Sequence, residues 1–129
     1  MNKKQKVFIS IVGVVLLIGI LGTVFYLIVN SNSRQYEKHL TQAQKYIDEL
    51  EYEEALAELE LAIDIAPNDE RAYLRMADIY MAKDDYNNAE SILQQGMDTI
   101  GKDNLSEEFL NKLISIWEML EDNTDLAEV

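Results

Sequence analysis

Hydrophobic and polar residues are arranged along this chain in two different ways. From Val7 to Val29 there is no alternation at all: VFISIVGVVLLIGILGTVFYLIV runs without a single charge. A helix of this length spans roughly 35 Å at about 1.5 Å per residue, against ~30 Å for the hydrocarbon core of a bilayer. Ser10 and Thr23 interrupt the run. Each hydroxyl can bond back to a carbonyl one turn earlier, so neither breaks the span. Phe25 and Tyr26 stand near its far end, where amphipathic rings are favoured. The expectation is a transmembrane helix over 7–29. A cleaved signal peptide competes with it, because MNKKQK is a basic leader and Val29-Asn30-Ser31 is a passable cleavage site. Signal cores usually run about 7–15 residues, much shorter than this segment.

Beyond a polar stretch at 30–35 (NSNSRQ), taken as a linker, the pattern acquires helical periodicity. Leu40, Ala43, Tyr46 and Ile47 follow one another at three- and four-residue steps. So do Tyr52, Ala55, Leu56, Leu59 and Ile63; Tyr73, Leu74, Ala77, Tyr80 and Met81; and Tyr86, Ala89, Ile92, Leu93 and Met97. Such steps place one apolar stripe on each helix. Short breaks around Leu50-Glu51 and Lys83-Asp84-Asp85 make consecutive helices antiparallel. Pro67 with Asn68-Asp69, and Gly101 with Asp103, end the two pairs.

The two pairs are copies of each other. Displacing the chain by 34 residues sets Leu40 on Leu74, Ala43 on Ala77, Tyr46 on Tyr80, Tyr52 on Tyr86, Ala55 on Ala89, Leu59 on Leu93, Asp64 on Asp98 and Asp69 on Asp103. Unrelated segments of that length would share roughly two or three identities at ordinary residue frequencies. This period and these positions resemble the tetratricopeptide repeat. Ala43 and Ala77 take that family's small-residue place and Tyr46 and Tyr80 its tyrosine. Ala55 and Ala89 take the later alanine, Leu59 and Leu93 the phenylalanine, and Pro67 the proline. His39 and Tyr73 hold the first aromatic place. Gln42 and Met76 hold the leucine place, and Gly101 replaces the second proline.

The expected fold is all-α: an N-terminal transmembrane helix followed by a short tetratricopeptide-type α-solenoid. The first repeat covers 36–69 and the second 70–103. Residues 104–129 form an incomplete third repeat, a capping helix and a tail. Ser106 is a suitable N-cap with Glu107 and Glu108 in the first turn, and the last helix is expected to run to about Glu121. Leu110 and Ile114 occupy the leucine and tyrosine places there, with Asn111 where a small residue belongs. Leu110, Leu113, Ile114, Trp117 and Leu120 make one apolar arc, widened by Phe109, Ile116 and Met119. A capping helix should have a polar outer face, so either the tail TDLAEV or another chain is expected to cover it.

Charge adds direction. Lys3, Lys4 and Lys6 precede the apolar run, while all 24 acids lie after it with 8 of the 11 basic residues, a net charge of −16 beyond the span. The excess of basic residues at the N-terminal end places residues 1–6 in the cytoplasm and the repeats outside it. So acidic a domain repels nucleic acid and anionic surfaces.

No arrangement of residues points to catalysis, a cofactor or a metal. Cysteine is absent, which excludes a thiolate site, and there is one histidine, His39, whose place in the repeat implies packing. The Asp84-Asp85-Tyr86-Asn87-Asn88 run lacks the glycine and distal glutamate of a calcium loop. Asn104-Leu105-Ser106 is a glycosylation sequon. The resemblance implies instead a concave face, built by the first helix of each pair, that receives a polypeptide. Its candidate residues are Glu37, Leu40, Gln44, Asp48, Arg71, Leu74, Asp78 and Met81, with Lys112 and Ser115 in the third unit and Leu40 and Leu74 as an apolar floor. The family's carboxylate-clamp places hold Leu40, Gln44, Arg75, Leu105 and Phe109, so that clamp is missing. The alternative surface is the terminal helix with Phe109, Ile116 and Met119, either for a partner or for self-association. The implied function is a scaffold or adaptor at the cell envelope, binding a protein or peptide, with basic sequences suited to the domain's charge. A cytosol-facing organelle receptor for basic targeting sequences and a structural subunit of a membrane complex are the alternatives.

Overall fold

A computed structural model describes the backbone of residues 1–127 and the side chains of residues 1–122. It contains five helices: α1 (Lys3–Asp48), α2 (Tyr52–Ile65), α3 (Glu70–Ala82), α4 (Tyr86–Ile100) and α5 (Glu107–Ala127), with a single 3-10 turn at Lys102–Asn104. No strand occurs among the described residues. The chain divides into two units, Met1–Arg34 and Gln35–Val129.

The first unit is helical throughout from Lys3, and its apolar residues are exposed. By length and composition it is long and apolar enough to cross a membrane. The Thr23 hydroxyl donates to the Ile20 carbonyl at 2.8 Å, the back-bond that lets a hydroxyl sit inside an apolar helix. The polar stretch at 30–35, expected as a linker, is helical as well. Nothing in NSNSRQ stops a helix, for it holds neither proline nor glycine.

The second unit is the helical repeat array. The 34-residue period reappears in its turns. Leu50 and Asp84 both adopt positive φ, 61° and 56°. In both places the next amide reaches back to a tyrosine carbonyl: Glu51 to Tyr46 and Asp85 to Tyr80, each at 2.8 Å. These αL turns close each helix pair and satisfy carbonyls at the end of the first helix. Asp69, Asp85 and Ser106 cap the following helices, accepting from the amides of Arg71, Asn88 and Phe109. The Ser106 cap is as expected from the sequence.

The core holds the residues that recur. Ala43, Ala55, Ala62, Ala77 and Ala89 have no exposed surface, as close helix crossings require, and Leu59, Tyr73, Leu93 and Ile79 fill the space between them. Gly96 shows how tight the second helix is. A Cβ added there would lie 3.0 Å from Cγ of Tyr73 and 3.1 Å from Cζ of Phe109. Thus α4 packs on α3, its partner in the same repeat, and on α5 of the next.

The third unit departs from the copy. Four residues join α2 to α3, but six join α4 to α5, and the 3-10 turn stands where the third helix would have begun. The terminal helix also extends beyond the expected end at Glu121 to Ala127. Thr124 to Ala127 of the tail therefore continue α5 rather than folding back over it; Glu128 and Val129 lie outside the described residues.

Candidate protein-interaction site

The first helices α1, α3 and α5 stand side by side, and polar contacts join each to the next. Nη2 of Arg71 on α3 lies 2.8 Å from Glu37 on α1 and 2.7 Å from Asp69. Arg75 on α3 donates to the Leu40 carbonyl on α1 at 2.8 Å. Lys112 on α5 donates to Asp78 on α3. Glu37 and Arg71 are 34 residues apart, as are Asp78 and Lys112. Equivalent places in successive repeats therefore carry opposite charges, and stacking the repeats pairs them. Exposed pairs of this kind contribute about 0–1 kcal/mol. Their effect is on the surface: they join three helices into one ribbed polar face.

Of the residues expected on this face, Glu37, Gln44, Asp48, Arg71 and Asp78 are exposed. Gln44 donates to Asp48 at 2.9 Å, one turn along α1. Met81 is half-buried against the core, and Lys112 and Ser115 are half-buried on α5. Leu40 and Leu74 are corrected: at 2% and 7% exposure they belong to the core and offer no floor to a ligand. A stripe of three- and four-residue steps does not say which of its members face the neighbouring repeat.

The face is not as acidic as the domain. Arg71, Arg75 and Lys112 lie on or beside it and balance Glu37 and Asp78. The acidic excess collects on α2, where Glu53, Glu54 and Glu60 are exposed. Arg75 was not anticipated as a linker between helices, since a bond to a carbonyl leaves no complementary charge to find. The 34-residue spacing of Glu37–Arg71 and Asp78–Lys112 was readable in the sequence.

At the α1–α3 contact, the Arg71 guanidinium sits 5.0 Å from the centre of the Tyr36 ring. Tyr36 is buried, and its hydroxyl meets no partner at hydrogen-bonding geometry. Burial, and then the neighbouring Asp69 carboxylate, hold that phenol well above the ordinary tyrosine range. Burial alone would raise the Asp69 carboxyl. Hydrogen bonds from the Arg71 side chain and amide outweigh it and bring the group below the usual carboxylate range. Arg71 is held still more firmly in its charged form by Asp69 and Glu37. His39, expected only to pack, places Nδ1 2.6 Å from Oε2 of Glu58 and so joins α1 to α2.

The terminal helix needs a second correction. Phe109 and Ile116 are fully buried, Phe109 beside Gly96 of α4, so neither presents a surface. Met119 is exposed, beside a shallow depression lined also by Asp84, Tyr86 and Asp122. Among the described residues, the exposed apolar side chains of α5 besides Met119 are Ile114 and Trp117, and the Trp117 indole donates to Glu90 on α4 at 2.7 Å. Asn104 of the sequon is exposed in the 3-10 turn, where its side chain donates to the Ile100 carbonyl at 3.0 Å. A wide, open depression of about 780 Å³ lies among the connections between repeats, lined by Asn68, Asp69, Glu70, Asp103 and Asn104. Two of its acids are engaged with backbone amides: Asp69 caps α3, and Glu70 accepts from the Ser106 amide at 2.9 Å. Among the described residues no group of three or more histidine or acidic side chains is arranged to hold a metal.

A search of curated proteins found no match. The model of one family, the tetratricopeptide repeat, matches residues 39–113, which takes in both helix pairs and the first third of α5. Helix pairs repeating every 34 residues, small residues at the crossings, and a model match over more than half of the 129 residues agree, and the chain belongs to the tetratricopeptide repeat family.

Proposed function

We propose that this chain is a membrane-anchored scaffold whose repeats receive a polypeptide on the face made by α1, α3 and α5. Tetratricopeptide repeats are protein-interaction modules, typically without catalysis of their own, and the coarser reading follows from membership. The observation that supports the finer one is the continuous polar face on which Glu37, Gln44, Asp48, Arg71 and Asp78 stand exposed on adjoining helices. Residues 7–29 serve as the anchor, with residues 1–6 cytoplasmic and the repeats extracytoplasmic, and assembly or secretion at the cell envelope is the setting.

The polypeptide is basic or of mixed charge. The excess of 24 acids over 8 basic residues beyond the span draws basic chains in from a distance and repels acidic ones. At close range the balanced charges of the face itself select a mixed sequence, because each ion pair there can be exchanged for one with the ligand.

Affinity capture tests the proposal. The full-length protein is solubilised in mild detergent, and the proteins it retains from its own cells are compared with those retained by a Gln44→Arg, Asp78→Arg double variant. Both sites are exposed, so the fold should persist. Loss of specific proteins from the variant is the expected result. Retention of the same proteins in the same amounts would refute the concave-face reading.

A further inference from the structure

In the second repeat, Tyr73 of α3 faces its own second helix, and Met76, Ala77 and Tyr80 follow it three, four and seven residues on, along the same stripe. Tyr73 touches Gly96 of α4, Met76 and Ala77 are buried, and Tyr80 packs at the core's edge. Thirty-four residues later stand Glu107, Leu110, Asn111 and Ile114. These side chains occupy the seat of a second helix in the third repeat. Among the described residues no such helix follows, because α5 continues unbroken to Ala127. The seat is accordingly uncovered: Leu110 is half-buried, Ile114 is 48% exposed and Trp117 is 42% exposed. Leu110, Ile114 and Trp117 follow at four- and three-residue steps, an apolar stripe of the kind that packs against another helix.

The surroundings choose the occupant. Glu107 and Glu118 border the stripe on α5 and are exposed, and Glu90 on α4 approaches its edge through the Trp117 indole. Among the described residues no basic side chain shares this face, since Lys112 is turned away to Asp78 on α3. A second copy of the chain would bring the same acids against these across a two-fold axis, and like charges facing each other oppose such a contact. We propose that a basic amphipathic helix of a partner protein docks on α5 and completes the third repeat, its apolar stripe on Leu110, Ile114 and Trp117 and its lysines or arginines toward Glu107, Glu118 and Glu90. This seat lies on a different side of α5 from Lys112. It is therefore separate from the concave face, and the two readings stand or fall independently.

Trp117 is the chain's only tryptophan, so its fluorescence reports on the seat. The probe is a synthetic helix with the sequence of Tyr86–Ile100, itself a second helix of this array, carrying lysine at the Glu90 and Asp98 positions. The comparison peptide keeps the native acids. Each is titrated into the full-length protein in detergent, and into the Ile114→Asp, Asn111→Arg and Ile114→Val variants. Residues 111 and 114 are exposed, and retention of a cooperative unfolding transition checks that the variants fold. The basic peptide should give a saturable change in Trp117 emission and bind at least about tenfold more tightly than the acidic one. Ile114→Asp and Asn111→Arg should abolish the response, and Ile114→Val should keep it. Equal response to both peptides would overturn the proposal. So would a response that survives both disruptive substitutions, or none up to ~1 mM. A mass that doubles with concentration and reverts in Ile114→Asp would give the seat to a second copy and overturn it too.

Discussion

Phe109 and Ile114 test the orientation of the terminal helix on which the third repeat depends. They are five residues apart on α5 and both are large and apolar, yet Phe109 is fully buried and Ile114 is 48% exposed. The Phe109 ring wedges between α4 and α5, and its tip would be 3.1 Å from a Cβ at Gly96. Truncation to alanine removes that ring from a site which cannot collapse easily, since the facing surface is a helix backbone. Phe→Ala in a core costs about 3–5 kcal/mol. A domain of this size has on the order of 5–15 kcal/mol in all, so about a fifth or more of its stability would go. In urea, with a slope of about 1–3 kcal/mol per molar, the midpoint should fall by about 2 M. Ile114→Ala loses little buried surface and gains helix propensity, and should stay within about 1 kcal/mol. Trp117 fluorescence of the full-length protein in detergent follows the transition from within α5. A small effect of Phe109→Ala with a large effect of Ile114→Ala would mean that α5 is rotated about its axis, and would refute both the burial of Phe109 in the core and the uncovered seat.

Other consequences are as direct. Tyr36→Phe removes a buried hydroxyl that has no partner, so thermal unfolding should show stability unchanged or raised, against the usual cost of a core substitution. Because the folded protein holds that phenol above its ordinary value, its contribution is complete below about pH 10 and is lost as pH rises further; Tyr36→Phe should flatten the alkaline limb of a stability–pH profile, and an unchanged limb would remove Tyr36 as its cause. Asp69 has the opposite sign: its folded carboxyl is depressed, so its contribution is present above about pH 4 and lost as pH falls below it, and Asp69→Asn should blunt acid unfolding. Leu50 is highly exposed at φ 61°, a conformation that costs a side-chain-bearing residue about 1–2 kcal/mol; Leu50→Gly should raise the melting temperature, and a fall would show that the side chain makes contacts worth more than the strain. Protease added to spheroplasts should digest the repeats if they are extracytoplasmic, and protection until lysis would reverse the proposed orientation.

Much of the architecture was legible before any coordinates, for a local reason. Period and spacing are properties of neighbouring residues: Ala43 and Ala77, Tyr46 and Tyr80, Leu59 and Leu93 announce the helix pairs because each helix must bring the same small or aromatic side chain to the same crossing. The caps and turns are local too, and Ser106 was identifiable because an N-cap needs only the next three residues. The charged ribs across the first helices were half legible. Glu37 with Arg71 and Asp78 with Lys112 share the repeat's spacing, but which places meet depends on how successive repeats stack.

What the chain's order could not state is which side of a helix faces which neighbour when a neighbour is missing. Leu40 and Leu74 share a stripe with exposed residues, and only the stacked repeats bury them. Phe109 and Ile116 form surplus apolar surface on a capping helix when read from the sequence; the packing of α5 takes them inside and leaves Ile114 and Trp117 facing outward instead. The tail continues α5 to Ala127, so among the described residues no second helix covers that outward face. Periodicity is written in distances along one helix, whereas burial is set by distances between helices. The sequence alone therefore determined the helix pairs, their period and the apolar N-terminal span, while the tertiary structure decided which residues form the core, which form the polar face, and which side of α5 stands uncovered among the described residues.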